Sequence, residues 1–236
     1  MYKIKRLVTY IKHISLEEAA GTIKPEPDTI YIFEDRWKSK RELLQKRIDA
    51  HKGIFRSIFA RKCDIFKPDA IETKEFLDAN HIYGYAGCKY RYGLKFEGET
   101  VAVSTFSEPR PITRRINGEE RVVQSYEWVR AASLPDCRVC GGMGRMLEAF
   151  IRDISPEDIM AYADLEWSDG KVYEILGFTR IGETAPVKFY VDPETFERFP
   201  LNKIGRDRMA RGRKIPENAP VIQNLGSAKY ILTLVH

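Results

Sequence analysis

The chain has 236 residues, of which 43% are hydrophobic and 31% charged, a composition typical of a folded globular protein rather than a disordered one. It contains no apolar run approaching the ~20 residues that span a bilayer, and its N-terminus lacks the apolar segment of a signal peptide, so we expect no membrane association. Four cysteines are too few for a disulfide scaffold of this length, which favours a reducing compartment and a cytoplasmic location. The net charge of +5 permits an anionic ligand without requiring nucleic acid.

The N-terminal part of the chain alternates between predicted strands, helices and loops. In chain order the predicted elements are a weak strand over 1–11, a loop over 12–27, a buried strand over 29–33, a charged helix over 34–52, a strand over 60–66, a short helix over 69–79 and a loop over 80–87. Asp69 and Glu72 have the spacing of a helix-capping box. His81 lies in the last loop, where functional residues concentrate, and is a candidate substrate-binding residue. A structural, hydrogen-bonded histidine is the alternative.

Hairpin signals dominate the middle of the chain. Strands over 90–96 and 100–106 are joined by Glu97-Gly98-Glu99. A tight Asn117-Gly118 turn divides the strand-like segment 112–123. Another strand follows over 125–132. Simple alternation along it places Glu127 and Val129 on one face, and Tyr126, Trp128 and Arg130 on the other.

A glycine-rich turn connects this strand to the next predicted helix. Gly141, Gly142 and Gly144 precede or open a helical pattern whose apolar face contains Met146 and Phe150. The first N–H groups of a helix have no intrahelical partner, and the helix dipole adds positive charge there. Glycines also let a phosphate approach the backbone closely. We interpret the turn as a pyrophosphate site. A tight packing turn is the alternative, because such motifs are weak.

The C-terminal part is predicted to return to strands. The predicted elements are a strand over 159–163, a helix capped by Ser168 and ended by Gly177, strands over 178–182 and 187–191, a loop over 201–218 and a strand over 230–235. The loop is basic, with Lys203, Arg206, Arg208, Arg211, Arg213 and Lys214. It is the best candidate for nucleic-acid binding, but it lacks interleaved aromatic residues, which favours a solvated loop.

Two segments together resemble the GNAT superfamily of N-acetyltransferases. Leu134, followed after four residues by Val139-Cys-Gly-Gly-Met-Gly-Arg-Met-Leu147, resembles the acyl-coenzyme A signature of that family. Lys171-Val-Tyr-Glu-Ile-Leu-Gly-Phe178 resembles its downstream segment. The signature departs from the family pattern in either register. Val139 stands where Arg or Gln is usual, and if Arg138 takes that place, Met143 replaces the second glycine.

This resemblance implies an α+β fold, with a GNAT-like mixed, mostly antiparallel central sheet and helices on both faces. It implies an acyl-CoA-binding core over 61–200, an N-terminal extension over 1–60, and a basic loop with a final strand over 201–236. In the family the strands around Leu134 and Ala163 splay apart, and we expect a β-bulge near 130–134 as the cause.

The resemblance further implies an N-acetyltransferase that uses acetyl-CoA as co-substrate and a small-molecule or peptide amine as acceptor. The implied cofactor-binding residues are Leu134, Arg138, Val139, Cys140, Gly141, Gly142, Met143, Gly144 and Arg145. Tyr173 takes the place of the tyrosine that protonates the leaving thiolate, with aromatic packing as the alternative. Glu127 is the candidate base, and Asp164 and Glu166 are the other candidates; ion pairing or capping is the alternative for each.

A narrower resemblance concerns the N-terminal part. Residues 32–37, 60–63 and 76–82 are similar to C-terminal portions of some phage and mobile-element endonuclease-like proteins. This implies a second hypothesis, a non-catalytic GNAT-like module that binds DNA or a protein partner. Cys137 and Cys140 have the spacing of a zinc half-site, but the other cysteines form no second close pair, so no metal is expected.

Overall fold

The computed structural model describes residues 10–116, 118–201, 209–210 and 213–234. The chain divides into two compact units, each assembled from three segments. Unit 1 comprises Met1–Leu44, Tyr162–Lys171 and Ile181–Lys229, and unit 2 comprises Gln45–Ala161, Val172–Arg180 and Tyr230–His236. Most of the predicted strand over 1–11, and four residues of the basic loop, lie outside the described residues; the four are Lys203, Arg206, Arg208 and Arg211.

The strands, in chain order, are β1 (Tyr10–Ile14), β2 (Thr29–Phe33), β3 (Arg56–Phe59), β4 (Asp64–Phe66), β5 (Tyr90–Phe96), β6 (Glu99–Phe106), β7 (Arg110–Ile116), β8 (Glu119–Ser133), β9 (Cys137–Cys140), β10 (Asp158–Asp164), β11 (Thr179–Thr184), β12 (Lys188–Val191), β13 (Arg198–Pro200), β14 (Met209–Ala210), β15 (Arg213–Lys214), β16 (Val221–Gln223) and β17 (Ser227–Thr233). The helices are α1 (Leu16–Ala20), α2 (Glu34–Ser39), α3 (Arg41–His51), α4 (Ala70–Asn80), α5 (Gly142–Ile154) and α6 (Lys171–Ile175). A 3-10 turn covers Ala60–Lys62.

The large sheet confirms the predicted fold class, a mixed α+β architecture with a mostly antiparallel sheet. Its strand order is β11-β17-β10-β8-β6-β5-β4, and β7 also pairs with β8. Neighbours from β4 to β8 pair antiparallel, whereas β10 pairs parallel with β8. The β5–β6 hairpin turns at Glu97 and Gly98, with φ of 51° and 83°. Positive φ at both central residues gives the type I′ turn that suits a twisted hairpin.

A bulge in β8 decides which side chains share a face of this sheet. Phe106 of β6 pairs with Trp128, and Thr105 pairs with Arg130, which leaves Val129 as the extra residue. Since Thr105 and Phe106 point to opposite faces, Trp128 and Arg130 do so as well. The prediction that they share a face is therefore wrong, because the inserted residue reverses the alternation.

Helices cover both faces of the sheet in unit 2. On one face Phe150 of α5 stacks on Phe106, with ring centroids 3.9 Å apart. The Tyr126 ring lies 5.4 Å from the Phe150 ring. α4 packs against β6 and β8, and the loop after it accepts a hydrogen bond from Arg130 on the opposite face. Asp69 caps α4 by accepting from the N–H groups of residues 71 and 72. The other half of the predicted capping box is not formed, because the Glu72 carboxylate accepts from Thr100 Oγ1 at 2.9 Å.

Unit 1 is built on β2, whose five residues are all buried as predicted. β1 pairs parallel with β2, and β13, β12 and β16 form a small antiparallel sheet. The predicted loop over 12–27 instead contains α1, which the capping box of Ser15 and Glu18 begins. That box is visible in the sequence as Ser15-Leu-Glu-Glu18, so this element was predictable.

Three further expectations differ in detail from the structure. The single helix over 34–52 is interrupted at Lys40, next to Ser39, whose hydroxyl donates to the Asp35 carbonyl at 2.8 Å. Such back-bonding competes with regular helix geometry. The strand over 60–66 begins as a 3-10 turn, and Ser168 does not cap α6 but accepts from the Gly170 N–H. In the described ranges no helix is long and apolar enough to cross a membrane.

Candidate active site

The glycine turn places unused backbone donors at the start of α5. Gly141 is the N-cap, with a φ of 77° that favours glycine. The Arg145 N–H donates to the Gly141 carbonyl at 3.0 Å. Within the part of the chain that the structure describes, the N–H groups of Gly142, Met143 and Gly144 have no acceptor. This set of donors suits an anion.

Close packing also explains why two of the three positions carry glycine. A Cβ on Gly142 would lie 2.9 Å from Val139 Cγ1, and one on Gly144 would lie 3.3 Å from Leu176 Cδ2. Gly142 therefore lets α5 begin directly against Val139, which fits the packing alternative at this position. Gly144 brings the segment that carries Tyr173 close to the start of α5.

Both arginines of the signature are engaged by neighbouring residues. The Arg138 guanidinium lies 4.2 Å from the centroid of the Phe55 ring, and Arg145 donates to the Ala60 carbonyl. These partners come from β3 and its flanks, because β3 pairs parallel with β9. Burial lowers the pKa of His51, and the positive charges of Arg47 and Arg138 lower it further.

The cysteines of this region are thiols with local partners. Cys137 Sγ accepts from Arg56 Nε at 3.2 Å, and Cys140 Sγ lies 3.7 Å from Ser57 Oγ. Burial raises the pKa of the Cys137 thiol. All four cysteines of the chain are free. Among the described residues, no cluster of three or more His, Cys, Asp or Glu side chains is placed to hold a metal.

Tyr173 contacts an aromatic cluster on the α5 face of the sheet. Its ring lies 5.8 Å from Trp128 and 5.3 Å from Tyr230. Burial, with a smaller effect of Tyr230, raises the pKa of Tyr173 to about 12, so the phenol keeps its proton at neutral pH. In the described part of the chain the Tyr173 hydroxyl has no hydrogen-bond partner. A protonated hydroxyl without a partner can donate to a ligand.

Within the described residues, β10 pairs with β8 at the start of β10 and not along the rest of its length. Asp158–Met160 pair with Ser125–Glu127, and the bulge at Val129 follows immediately. This position is slightly before the 130–134 range in which we expected the bulge. Trp128 at the bulge has a buried indole N–H without a partner in the described residues. The Leu134 N–H donates to the Val101 carbonyl at 3.0 Å, so it is not available to a thioester oxygen.

Glu127 lies just before the bulge and forms an ion pair. Its carboxylate accepts from Arg110 at 2.7 Å, and its N–H donates to Ser107 Oγ at 2.9 Å. Ser107 and Arg110 also line an open cleft of about 420 Å³, together with Gly87–Lys89. Gly84, in the loop from His81 to Lys89, accepts a hydrogen bond from Arg130 of β8, so this loop contacts the strand that carries Glu127. His81 Nδ1 accepts from the Tyr83 N–H at 3.1 Å.

The two alternative bases belong to unit 1. Asp164 accepts from the Glu166 N–H at 3.0 Å and organises a turn. Glu166 is buried and accepts from Arg198 Nη1 at 2.5 Å, while Arg198 also binds Asp35 through two nitrogens at 2.5 and 3.0 Å. Burial raises the pKa of Glu166 to about 7 against the opposing effect of Arg198. No signal in the sequence indicated this network, because Asp35 and Arg198 are 163 positions apart.

No protein-family model matches the chain, and no curated protein matches it. Among solved structures, a Bacillus subtilis acetyltransferase in complex with CoA is similar over 74% of this chain and 100% of its own length, at 17% identity and a TM-score of 0.43. The ribosomal-protein-S18-alanine N-acetyltransferase of Escherichia coli is similar over 74% and 95%, at 13% identity and a TM-score of 0.40. Eis1 from Mycobacterium abscessus matches 55% of this chain at 13% identity and a TM-score of 0.41, and there the chain spans about a third, 34%, of its length.

These likenesses are distant, so the function proposed below depends on the residues of this chain. The similarity of the N-terminal part to endonuclease-like proteins stays a prediction. So does nucleic-acid binding by the basic loop, since most of its charged residues lie outside the described ranges.

Proposed function

We propose that the protein is an acyl-CoA-dependent N-acetyltransferase that transfers an acetyl group from acetyl-CoA to an amine. One observation carries the proposal. Three N–H groups at the start of α5 have no acceptor among the described residues, and β8, which β9 links to α5, bulges where its pairing with the parallel β10 ends. A diphosphate-bearing thioester needs such an anion site, and the resemblance to the GNAT superfamily implies that its pantetheine arm enters between the strands that splay apart at the bulge. Tyr173 then supplies the proton donor beside the bulge.

In this proposal acetyl-CoA supplies the activated acetyl group as a thioester. The N–H groups of Gly142, Met143 and Gly144 bind its diphosphate, and Arg138 and Arg145 add positive charge. Gly141 and Val139 shape the turn, with Cys140 beside it and Leu134 at the end of β8. We assign this binding core to residues 61–200, flanked by the extensions over 1–60 and 201–236.

Two side chains of unit 2, Tyr173 and Glu127, carry out the proton transfers in this proposal. Tyr173 holds a proton at neutral pH and gives it to the departing sulfur. Glu127 takes the proton that the amine must lose, and Arg110 holds the carboxylate in place at 2.7 Å. We assign His81 to acceptor binding, whereas the catalytic or substrate-binding roles of Asp164 and Glu166 stay predictions.

Substitution of Met143 tests the anion site directly. Millimolar acetyl-CoA should raise the melting temperature of the wild type by mass action. Met143→Glu places a carboxylate in the first turn of α5, which should stabilise the free protein by about 0.3–1 kcal/mol and abolish the acetyl-CoA shift. Met143→Gln has the same shape without the charge and should keep the shift. The absence of any shift in the wild type would overturn the proposal.

A further inference from the structure

Three polar side chains form a row across three neighbouring strands of unit 2. Arg91 of β5 pairs with Thr105 of β6, and Thr105 pairs with Arg130 of β8. The register places all three on the face that α4 covers, opposite Trp128 and Tyr173. Two strand spacings, or roughly 10 Å, separate the backbones of the two arginines, with the threonine between them.

Neither arginine of this row has a counter-ion among the residues that the structure describes. Arg130 Nε donates to the Gly84 carbonyl at 3.1 Å, and its Nη1 donates to the Val129 carbonyl at 2.8 Å. Arg91 Nε donates to the Pro68 carbonyl at 3.2 Å. In the described part of the chain neither guanidinium lies within ion-pair distance of a carboxylate. Both are half-buried, and burial lowers the pKa of Arg130. Among the described residues their charge is balanced only by carbonyl oxygens and, for Arg130, by the Tyr83 ring at 5.8 Å, and a buried cation without a counter-ion is unfavourable unless a ligand compensates.

The hydroxyl between them is also unsatisfied. Thr105 is 0% exposed, and its Oγ1 has no hydrogen-bond partner among the described residues. A buried hydroxyl without a partner costs free energy, and native proteins tend to keep one only where it has a use. A donor hydroxyl flanked by two guanidinium groups offers the hydrogen bonds that a small anion accepts.

The row lies close to the cleft beside Glu127. Lys89 and Ser107 line that cleft, and each is two positions from Arg91 or Thr105 along the chain. Ser107 also accepts from the Glu127 N–H, and Arg110 binds the Glu127 carboxylate. The row is therefore next to two of the residues that line the cleft, along β5 and β6.

We propose that Arg91, Thr105 and Arg130 bind a carboxylate of the acceptor, so that the acceptor class is amines that also carry a carboxylate. This inference rests on the proposed function, because it concerns the second substrate of the same reaction. Guanidinium groups match the planar carboxylate through paired hydrogen bonds, which an amide of the same size does not accept as well.

A panel of L-amino acids and their carboxamides tests the inference, with transfer followed by thiol release from acetyl-CoA. The wild type should favour the acids over the amides about 10-fold or more in kcat/KM. Arg130→Gln and Arg91→Gln should remove this preference. The matched control is Arg115→Gln, which removes a guanidinium-to-carbonyl bond in the β7–β8 hairpin and should leave the preference intact.

Thr105→Val distinguishes a role of the hydroxyl in binding the acceptor from a role in stabilising the fold. The substitution keeps the shape of the side chain and removes the unsatisfied hydroxyl, so it should raise the melting temperature while raising KM for the acids. A purely structural role would not produce these opposite changes. Equal use of acids and amides by the wild type, or transfer to neither, would overturn the inference if acetyl-CoA still raises the melting temperature. Loss of the acetyl-CoA shift would instead overturn the proposed function.

Discussion

At the scale of single residues, the ring and the hydroxyl of Tyr173 have different roles. Its ring packs in an aromatic cluster, whereas its hydroxyl has no partner in the described residues. Tyr173→Phe keeps the ring and removes the proton donor, so turnover should fall by about 10²-fold or more at an unchanged acetyl-CoA affinity. Steady-state kinetics and thermal shift measure the two effects. Tyr126→Phe, on the same face, is the control, and equal turnover in the Tyr173 variant would exclude the proposed role.

The two glycines at the start of α5 should respond differently to an added methyl group. Gly142→Ala places a Cβ 2.9 Å from the branched Val139 side chain, and overpacking of this kind costs about 1–3 kcal/mol. Gly144→Ala meets only the flexible end of Leu176 and gains up to about 1 kcal/mol of helix propensity. Urea unfolding of both variants measures the difference. Equal destabilisation would contradict this account of Gly142.

At the scale of elements, the pH dependence of unit 1 should follow the buried network of Glu166. Folding raises the pKa of Glu166 from 4.5 to about 7, mainly through burial. Between these values the folded chain holds a proton that the unfolded chain has released. The contribution of Glu166 to stability is therefore complete below the lower value and is lost as pH rises through about 7.

Glu166→Gln mimics the protonated side chain, so the variant should gain stability relative to the wild type as pH increases from about 5 to about 8. The free energy of unfolding at both pH values measures this. Glu17→Gln, at an exposed position of α1, is the matched control. A difference between Glu166→Gln and wild type that stays constant with pH would show that Glu166 does not keep its proton on folding.

Elements were predictable where local sequence signals specify them. The β5–β6 hairpin follows from Glu97-Gly98, the start of α4 from Asp69, and the end of α6 from Gly177. β13 and β16 were missed because each has only three residues and depends on pairing with β12. The bulge was expected near its place, but its exact position depends on how β6 and β8 align, which no local pattern reveals.

At the scale of the whole molecule, the net charge of +5 should make acetyl-CoA binding sensitive to salt. Raising the ionic strength from about 0.1 M to about 1 M shortens the screening length from roughly 10 Å to 3 Å. The affinity for acetyl-CoA should fall several-fold over this range, as measured by titration calorimetry. S-acetylpantetheine, which lacks the phosphates, should show little change. Salt-independent binding of acetyl-CoA would argue against a phosphate-based contact.

The candidate site was predictable only where its residues are neighbours in sequence. The turn from Arg138 to Arg145 and the position of Tyr173 could be identified directly. The row of Arg91, Thr105 and Arg130 could not, because three strands must align before these side chains meet. The same holds for the partners of the signature arginines, which come from residues some eighty positions earlier, as in the 85-residue separation of Arg145 from Ala60.

The extra residue at Val129 also bears on how the sequence of β8 can evolve. Trp128 and Arg130 serve opposite faces of the sheet although one residue is inserted between them. Deletion of Val129 would leave Trp128 opposite Phe106 and Arg130 opposite Thr105, so both side chains would keep their faces and only the bulge would be lost. We therefore expect that relatives could gain or lose this one residue without exchanging the two faces of β8.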